Sequence, residues 1–290
     1  MLVPVSPTKE QTNAQLTLTV LQDSKGFSRL VRSYSHYPFR LSPPLQLSSQ
    51  DQECLYLYLM NTAPGWLAKD RVRSEIHLGS EARLFLTDQA ATKVHSMPEV
   101  KDKAQVHTEV SLSPGAFLEW LPEPVILYRE ASLQQTCKLI VAEDAGFVLS
   151  EIMVPGRLAR GEVFQFRQYS NRVVVMDNRE MVRWIDSGQL TGLNNPLTQS
   201  PLLKDLPITG TLYVVPPQPQ ILPQLQEKLH LLSEGRKNEL ILGVSRLPDG
   251  KGLIMRSLST RASWIREIHY TALNLVRNLM GLPELPEAPK

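Results

Sequence analysis

The sequence predicts a mainly β protein of stacked β layers, β-helix-like in arrangement, with two α-helices near the C-terminus. Three observations carry this. "AQLTLTVL" (14–21), "RVRSEIHL" (71–78) and "QVHTEVSL" (105–112) alternate apolar and polar residues with period two, the pattern of a half-buried strand. The 22 prolines are spread through the chain and would break long helices almost everywhere before about residue 220. Three segments, "LGSEARLFL" (78–86), "LSPGAFLEW" (112–120) and "VAEDAGFVL" (141–149), repeat one order: an apolar residue, a small polar turn, an alanine and a second apolar strand. Ala82, Ala116 and Ala145 hold equivalent places, as expected of layers that each cover a neighbour's apolar face. Unrelated hairpins of an antiparallel β protein would give the same pattern.

In chain order, residues 1–13 are polar and proline-bearing and read as a flexible N-terminal segment. Residues 14–290 read as a single domain, β-rich over 14–215 and α/β over 216–284. "CLYLYLM" (54–60) repeats the half-buried alternation. On 71–78, Val72, Ile76 and Leu78 share one face and Arg71, Arg73, Glu75 and His77 the other. On 105–112, Val106, Val110 and Leu112 oppose Gln105, His107 and Glu109. Pro122 and Pro124 in "EWLPEPVILY" suit an edge, or a strand that changes sheet. Further strands are expected at "FVLSEIMV" (147–154), "EVFQFRQY" (162–169), "RVVVMD" (172–177) and "TLYVV" (211–215). Leu222, Leu225, Leu229 and Leu232 follow helical spacing, with Gly235 as C-cap. "ELILGVSRLPDGKGLIMRSL" reads as a hairpin turning at Pro248–Gly252. "STRASWIREIHYTALNLVRNLMG" reads as an amphipathic helix with Trp264, Ile268, Leu275 and Leu279 as its apolar stripe and Gly281 ending it.

Composition narrows the function classes. A net charge of +2 gives no general attraction to nucleic acid or anionic lipid. The first residues lack the basic start and apolar run of a signal peptide, and no segment has the apolar length of a membrane span. Cys54 and Cys137 stand in unrelated contexts and make no zinc pattern. The expectation is a cytoplasmic protein without nucleic acid or membrane partners.

Chemistry-bearing motifs are sparse. No phosphate-binding glycine loop, nucleophile elbow or H-E-x-x-H motif is present. "TDQAATKVH" (87–95) offers Asp88, Lys93 and His95, but no nucleophile, base and orienter can be assigned among them. Glu75 and His77, with His107 and Glu109, would suit a metal if two paired strands brought them together, and would then make the chain a metal-dependent β-fold hydrolase. The same faces hold Arg71, Arg73 and Gln105, which is how a solvated sheet face looks. His36, His230 and His269 have no ligand-spaced neighbours. "PGRLARGE" (155–162) could hold an anion or form a turn. The tryptophans at 66, 120, 184 and 264 are too dispersed for an aromatic binding platform.

"LTDQAATKVH", "GAFLEWLPEPVILYREA", "PGRLARGEVFQF" and "LIMRSLS … LVRNLMGLP" together resemble the urease accessory protein D family (also called H) over residues 14–284. "HYPFRL" fits an early Pro-x-Arg segment at Pro38 and Arg40. The matching motif positions are Gly65, Leu67, Thr87, Gln89, Thr92, Lys93, Glu119, Pro122, Gly156, Arg157 and Gly161. The resemblance implies a non-catalytic urease maturation factor with a β-helix-like stack and two helices. It would bind apo-urease with accessory proteins F and G, and support insertion of nickel. No tightly bound cofactor is implied, only transient Ni(II) along an interior passage, with Asp70 and Glu162 as candidate passage residues. A capping role in a turn explains either carboxylate equally well. Two departures stand out. "APGWLAKD" (63–70) replaces a glycine-rich segment, with Pro64, Ala68 and Lys69 at positions where glycine or a small residue is common and Lys69 beside the motif acid. Asp88 stands where threonine is common.

Overall fold

The three recurring segments stack directly on one another. In this computed structural model, which describes residues 14–45, 47, 51–193, 199–233 and 239–285, each of them carries the chain from one sheet into a second. The first sheet runs, in spatial order, β14 (Val182–Thr191), β13 (Gln168–Met176), β11 (Ser132–Val141), β8 (Ala104–Leu112), β5 (Arg71–Leu78), β1 (Leu16–Gln22) and β2 (Ser28–Ser35). The second runs β16 (Leu240–Arg246), β17 (Leu253–Ser259), β15 (Ile208–Val215), β12 (Gly146–Val154), β9 (Phe117–Leu121), β6 (Arg83–Asp88), β4 (Cys54–Asn61) and β3 (Phe39–Leu41). Two short strands, β7 (Thr92–Val94) and β10 (Val125–Leu127), pair in parallel on the return side, and β10 also pairs β12.

Parallel coils form the centre. β5, β8 and β11 pair in parallel in one sheet, and β6, β9 and β12 do so in the other. The ladder continues through the turns: the Phe117 amide donates to Ala82 O and the Gly146 amide to Ala116 O, at 3.0 and 2.9 Å. Ala82, Ala116 and Ala145 are buried in this column, so the recurrence is structural. Gly115, at φ +70, lies where a Cβ would overlap the Glu81 carboxylate of the turn beneath. Antiparallel strands finish each end, and β15, β16 and β17 extend the second sheet.

The second sheet is the middle layer, which corrects the reading of "CLYLYLM". Both faces of β4 are buried: Leu55, Leu57 and Leu59 pack between the sheets, while Cys54 and Tyr56 pack toward the helices. Its alternation separates two cores rather than core from water. The helices are a short α1 (Pro201–Asp205), α2 (Leu222–His230) and α3 (Ala262–Leu279). On α3 the buried face is Ile265, Ile268, Ala272, Leu273 and Val276. Of the expected stripe only Ile268 lies on it; Trp264, Leu275 and Leu279 sit at its margins. Small Ala272 lets the helix approach the sheet, and the Trp264 ring carries the Arg261 guanidinium at 4.8 Å. Gly281 follows the helix at φ +73.

One other expectation meets the structure differently. "EVFQFRQY" is irregular until Gln168: a 3-10 turn at Leu158–Arg160 ends on Gly161, and Phe164 takes φ +52. Both phenylalanines are buried, so the period-two pattern marked burial without a ladder. Strands β2, β3 and β14 gave no sequence signal, β14 because "VRWIDSGQLT" mixes charge and glycine into its run. The 1–13 segment and Gly235 lie outside the described residues. Among those described, no helix is long and apolar enough to cross a membrane.

Candidate functional site

The motif segments that are far apart in sequence converge on the return side of the coils. Trp66 donates its amide to Lys93 O, and His95 returns its own to Trp66 O, so "APGW" lies against "TKVH" as a short parallel bridge. Gly65, at φ +147, permits this approach, because a Cβ would overlap Lys93 O. The His95 ring meets the Tyr128 ring edge-on at 5.2 Å, and Arg157 lies over Tyr128 at 4.6 Å. Arg157 in turn holds Glu162 through Nε and Nη2, at 2.9 and 2.6 Å. Thr87 is fully buried and donates to Leu121 O at 2.6 Å, fixing β6 to the start of the proline segment. The amides of Gln89 and Thr92 donate to Leu59 O and Pro124 O. Leu67 is exposed.

Behind this face the interior is not filled. A cavity of about 110 Å³ is lined by Gly65, Gln89, Thr92 and Lys93 among others. It shares Asn61, Ala90 and Thr92 with a cavity of about 140 Å³ that lies between the sheets and is bordered by Asp88, Trp120, Pro122 and Cys137. That cavity shares Glu151 and Tyr169 with a third, of about 610 Å³, bordered by Asp186, Tyr213 and Arg256. The three spaces therefore adjoin through shared lining residues, with Glu151 common to the two larger ones.

Glu151 sits on the inner face of β12, where its neighbours Leu149 and Met153 belong to the core. Its carboxylate accepts a hydrogen bond from Asn171 Nδ2 at 2.7 Å, and Tyr213 OH lies within reach at 3.3 Å. Burial pushes its pKa up to about 7, against the lowering effect of the Asn171 and Tyr213 hydrogen bonds. Cys137 lines the middle cavity, and burial raises its thiol pKa. It is therefore held as the neutral thiol rather than the metal-trapping thiolate.

The two carboxylates singled out from sequence take other places. Asp70 Oδ2 accepts the Leu67 amide at 2.7 Å, a turn cap, and Asp70 borders a separate surface cleft with Trp66 and Tyr37. Lys69, at φ +69, pairs with Asp102 at 3.7 Å. Its left-handed backbone is one that glycine adopts without cost. Glu162 is buried and accepts Arg157 and the Arg129 amide. Burial raises its pKa, but the Arg157 hydrogen bonds, the Arg129 amide and the Arg157 charge outweigh it and hold the carboxyl below its ordinary value. Gly156 makes room for this loop, since a Cβ there would overlap Glu162 O. Neither Asp70 nor Glu162 borders the three adjoining cavities.

The proposed hydrolase quartet does not assemble. In the parallel register His107 lies opposite Arg73 and His77 opposite Ser111, a four-residue offset of about 13 Å along the strands. His77 Nδ1 is 2.7 Å from Ser111 Oγ, Glu75 pairs with Arg73, and Glu109 pairs with Lys138. No group of three or more potential ligands occurs among the described residues. This is a solvated face.

Glu119 serves the other side of the second sheet. Its Oε2 accepts Arg277 Nη1 of α3 at 2.7 Å. Arg277 also pairs with Asp51 and donates from Nε to Pro283 O, and its side chain is fully buried. The cluster ties the last helix and its tail to β9.

Sequence reasoning missed Glu151, Asn171, Asp186, Tyr213 and Arg256. One signal was present: Glu151 is the lone charge within the apolar run "FVLSEIMV".

Comparison with known proteins adds a lineage to this geometry. A sequence model described as UreD urease accessory protein matches residues 12–289. A urease accessory protein UreD of Trichodesmium erythraeum is 37% identical over 268 residues, covering 92% of this chain and 96% of that protein. A namesake in Haloarcula marismortui is 29% identical over 263 residues, covering 90% of this chain and 85% of its own. One in Actinobacillus pleuropneumoniae is 30% identical over 265 residues, covering 88% and 94%.

Proposed function

We propose, from the premise that this chain belongs to the UreD family of urease accessory proteins, that it matures urease as a scaffold and nickel conduit without turnover of its own. In this reading it binds apo-urease together with accessory proteins F and G, and Ni(II) is cargo that crosses the space between the sheets. The observation that carries the reading is the series of adjoining cavities joined at Glu151. A conduit needs oxygen ligands that bind weakly enough to release; a closed set of cysteine and histidine would store the ion. Glu151 with Asn171 and Tyr213 supplies such oxygens, and the neutral Cys137 thiol does not compete for the ion. The passage candidates are accordingly Glu151 and Asp186. Asp70 and Glu162 act one step away, setting the loops around the first cavity.

Co-expression with urease and proteins F and G at limiting nickel tests this. Glu151→Gln keeps the size and hydrogen-bonding capacity of the side chain while removing its charge. The expected result is an intact complex on gel filtration with reduced nickel content of urease. Wild-type nickel loading by Glu151→Gln would overturn the conduit, and failure of the wild-type chain to co-elute with protein F would overturn the scaffold.

A further inference from the structure

Beyond Glu151, four polar side chains stand in series toward the wider cavity. On the inner face of the second sheet, Glu151, Thr211 and Arg256 form one cross-strand row, which puts Arg256 two strand spacings, about 10 Å, from Glu151. Facing them from the first sheet is Asp186 on β14. Arg256 Nη2 donates to both Asp186 oxygens at 2.8 Å. Tyr213 OH donates to Asp186 Oδ2 at 2.7 Å and lies 3.3 Å from Glu151 Oε2. Asn171 Nδ2 completes the line on Glu151, and Asn171 Oδ1 is buried with no hydrogen-bond partner among the described residues.

The links differ in stiffness. Tyr213 is buried and its ring stacks on Trp184, with centroids 5.7 Å apart and planes at 18°. Only its hydroxyl can turn, and with one proton it can satisfy one of the two carboxylates at a time. The outer link is loose. The Arg256 side chain is 62% exposed and that of Asp186 24%, and an ion pair open to water contributes little.

We infer that Arg256 biases which ions enter: its guanidinium occupies Asp186, a divalent cation replaces it, and a monovalent cation does so several-fold less readily. This rests on the conduit reading above. A monovalent ion brings the same charge as the guanidinium but lacks its two charge-assisted hydrogen bonds, so the exchange is unfavourable. A divalent ion doubles the Coulomb attraction to the same carboxylate. With the ion on Asp186, the Tyr213 hydroxyl turns its hydrogen bond to Glu151. When the ion moves to Glu151, the hydroxyl turns back. The phenol thus solvates whichever carboxylate is not holding the cargo, and its own proton stays on the phenol oxygen.

Calorimetric titration of the full chain with NiCl₂ at constant ionic strength tests the gate, with potassium exchanged for tetramethylammonium, an ion too large to replace the guanidinium. Wild-type binding should be insensitive to that exchange. Arg256→Gln should bind Ni²⁺ roughly two- to fivefold more tightly, the equivalent of an exposed ion pair, and should lose affinity when potassium is present. Unchanged affinity and potassium insensitivity in Arg256→Gln would overturn the gate. Nickel loading of urease, read in parallel, separates the two ideas. If Glu151→Gln blocks loading while Arg256→Gln binds as wild type, the conduit stands and the gate falls. If Glu151→Gln loads urease normally, the conduit falls whatever the binding data show.

Discussion

Two polar clusters lie on opposite faces of the second sheet, and they obey opposite rules. On the helix side, the Arg277 guanidinium meets Asp51 and Glu119 directly, Tyr56 adds its hydroxyl to Asp51, and the group is sealed by apolar side chains. On the side between the sheets, half-buried Glu151 is hydrogen-bonded by neutral Asn171, no cation is paired with it among the described residues, and it borders empty space. A buried ion cluster is tolerated when each charge has a contact partner. A buried carboxylate without one destabilises the fold above its pKa, so a protein retains it for a reason other than folding. The first cluster is therefore structural, and the second fits the proposed passage.

The largest test of this contrast is Arg277→Met. It removes the cation that the two carboxylates share, leaving Glu119 buried without one and Asp51 with Arg83 alone, which should cost about 3–5 kcal/mol in urea unfolding. Adding Glu119→Gln should recover part of that loss, because the uncompensated charge is then gone. If Arg277→Met were neutral, the helix-side cluster would not be the structural one.

Glu151→Gln comes next, with the opposite sign. The Glu151 pKa is raised from its ordinary 4.5 to about 7 by burial, so the folded state favours the protonated acid. The wild type should lose stability relative to Glu151→Gln as pH rises from 4.5 through 7, by up to ~3 kcal/mol, with no difference below that window. Urea midpoints at pH 5 and pH 8 read this directly. A gap that stays constant with pH would show that Glu151 is not held in a charge-poor interior.

What could be read from sequence divides along the same boundary. The loops around the first cavity were visible because their geometry is local. Gly65, Gly156 and Gly161 take positive φ values, and Pro122 and Thr87 fix strand ends, so each leaves a mark within a few residues. The parallel coils were visible for the same reason, through turns that place an alanine at each crossing. The polar group around Glu151 is assembled from β12, β13, β14, β15 and β17, and Glu151 and Arg256 share one cross-strand row only through strand register. No window of the chain contains that relation. Helix α3 shows a milder version: its existence followed from periodicity, whereas the face it buries depended on how closely Ala272 lets it sit.

The smallest expected effect concerns the outer face of the first sheet, where Glu75 and Glu109 are directly opposite in register. Like charges in that position repel, yet each has a lateral partner, Arg73 or Lys138, in contact with water. Such exposed pairs contribute at most about 1 kcal/mol, and screening weakens them further. His77→Ala with His107→Ala should therefore change unfolding stability by no more than about 0.5 kcal/mol and leave nickel loading of urease at the wild-type level. The pair is informative because carboxylates and imidazoles are the residue types a metal site would use, while Glu151 is met by an amide and a phenol. If the double variant lost nickel loading while Glu151→Gln did not, the route for the ion would run over the outer face, and the polar interior would need another explanation.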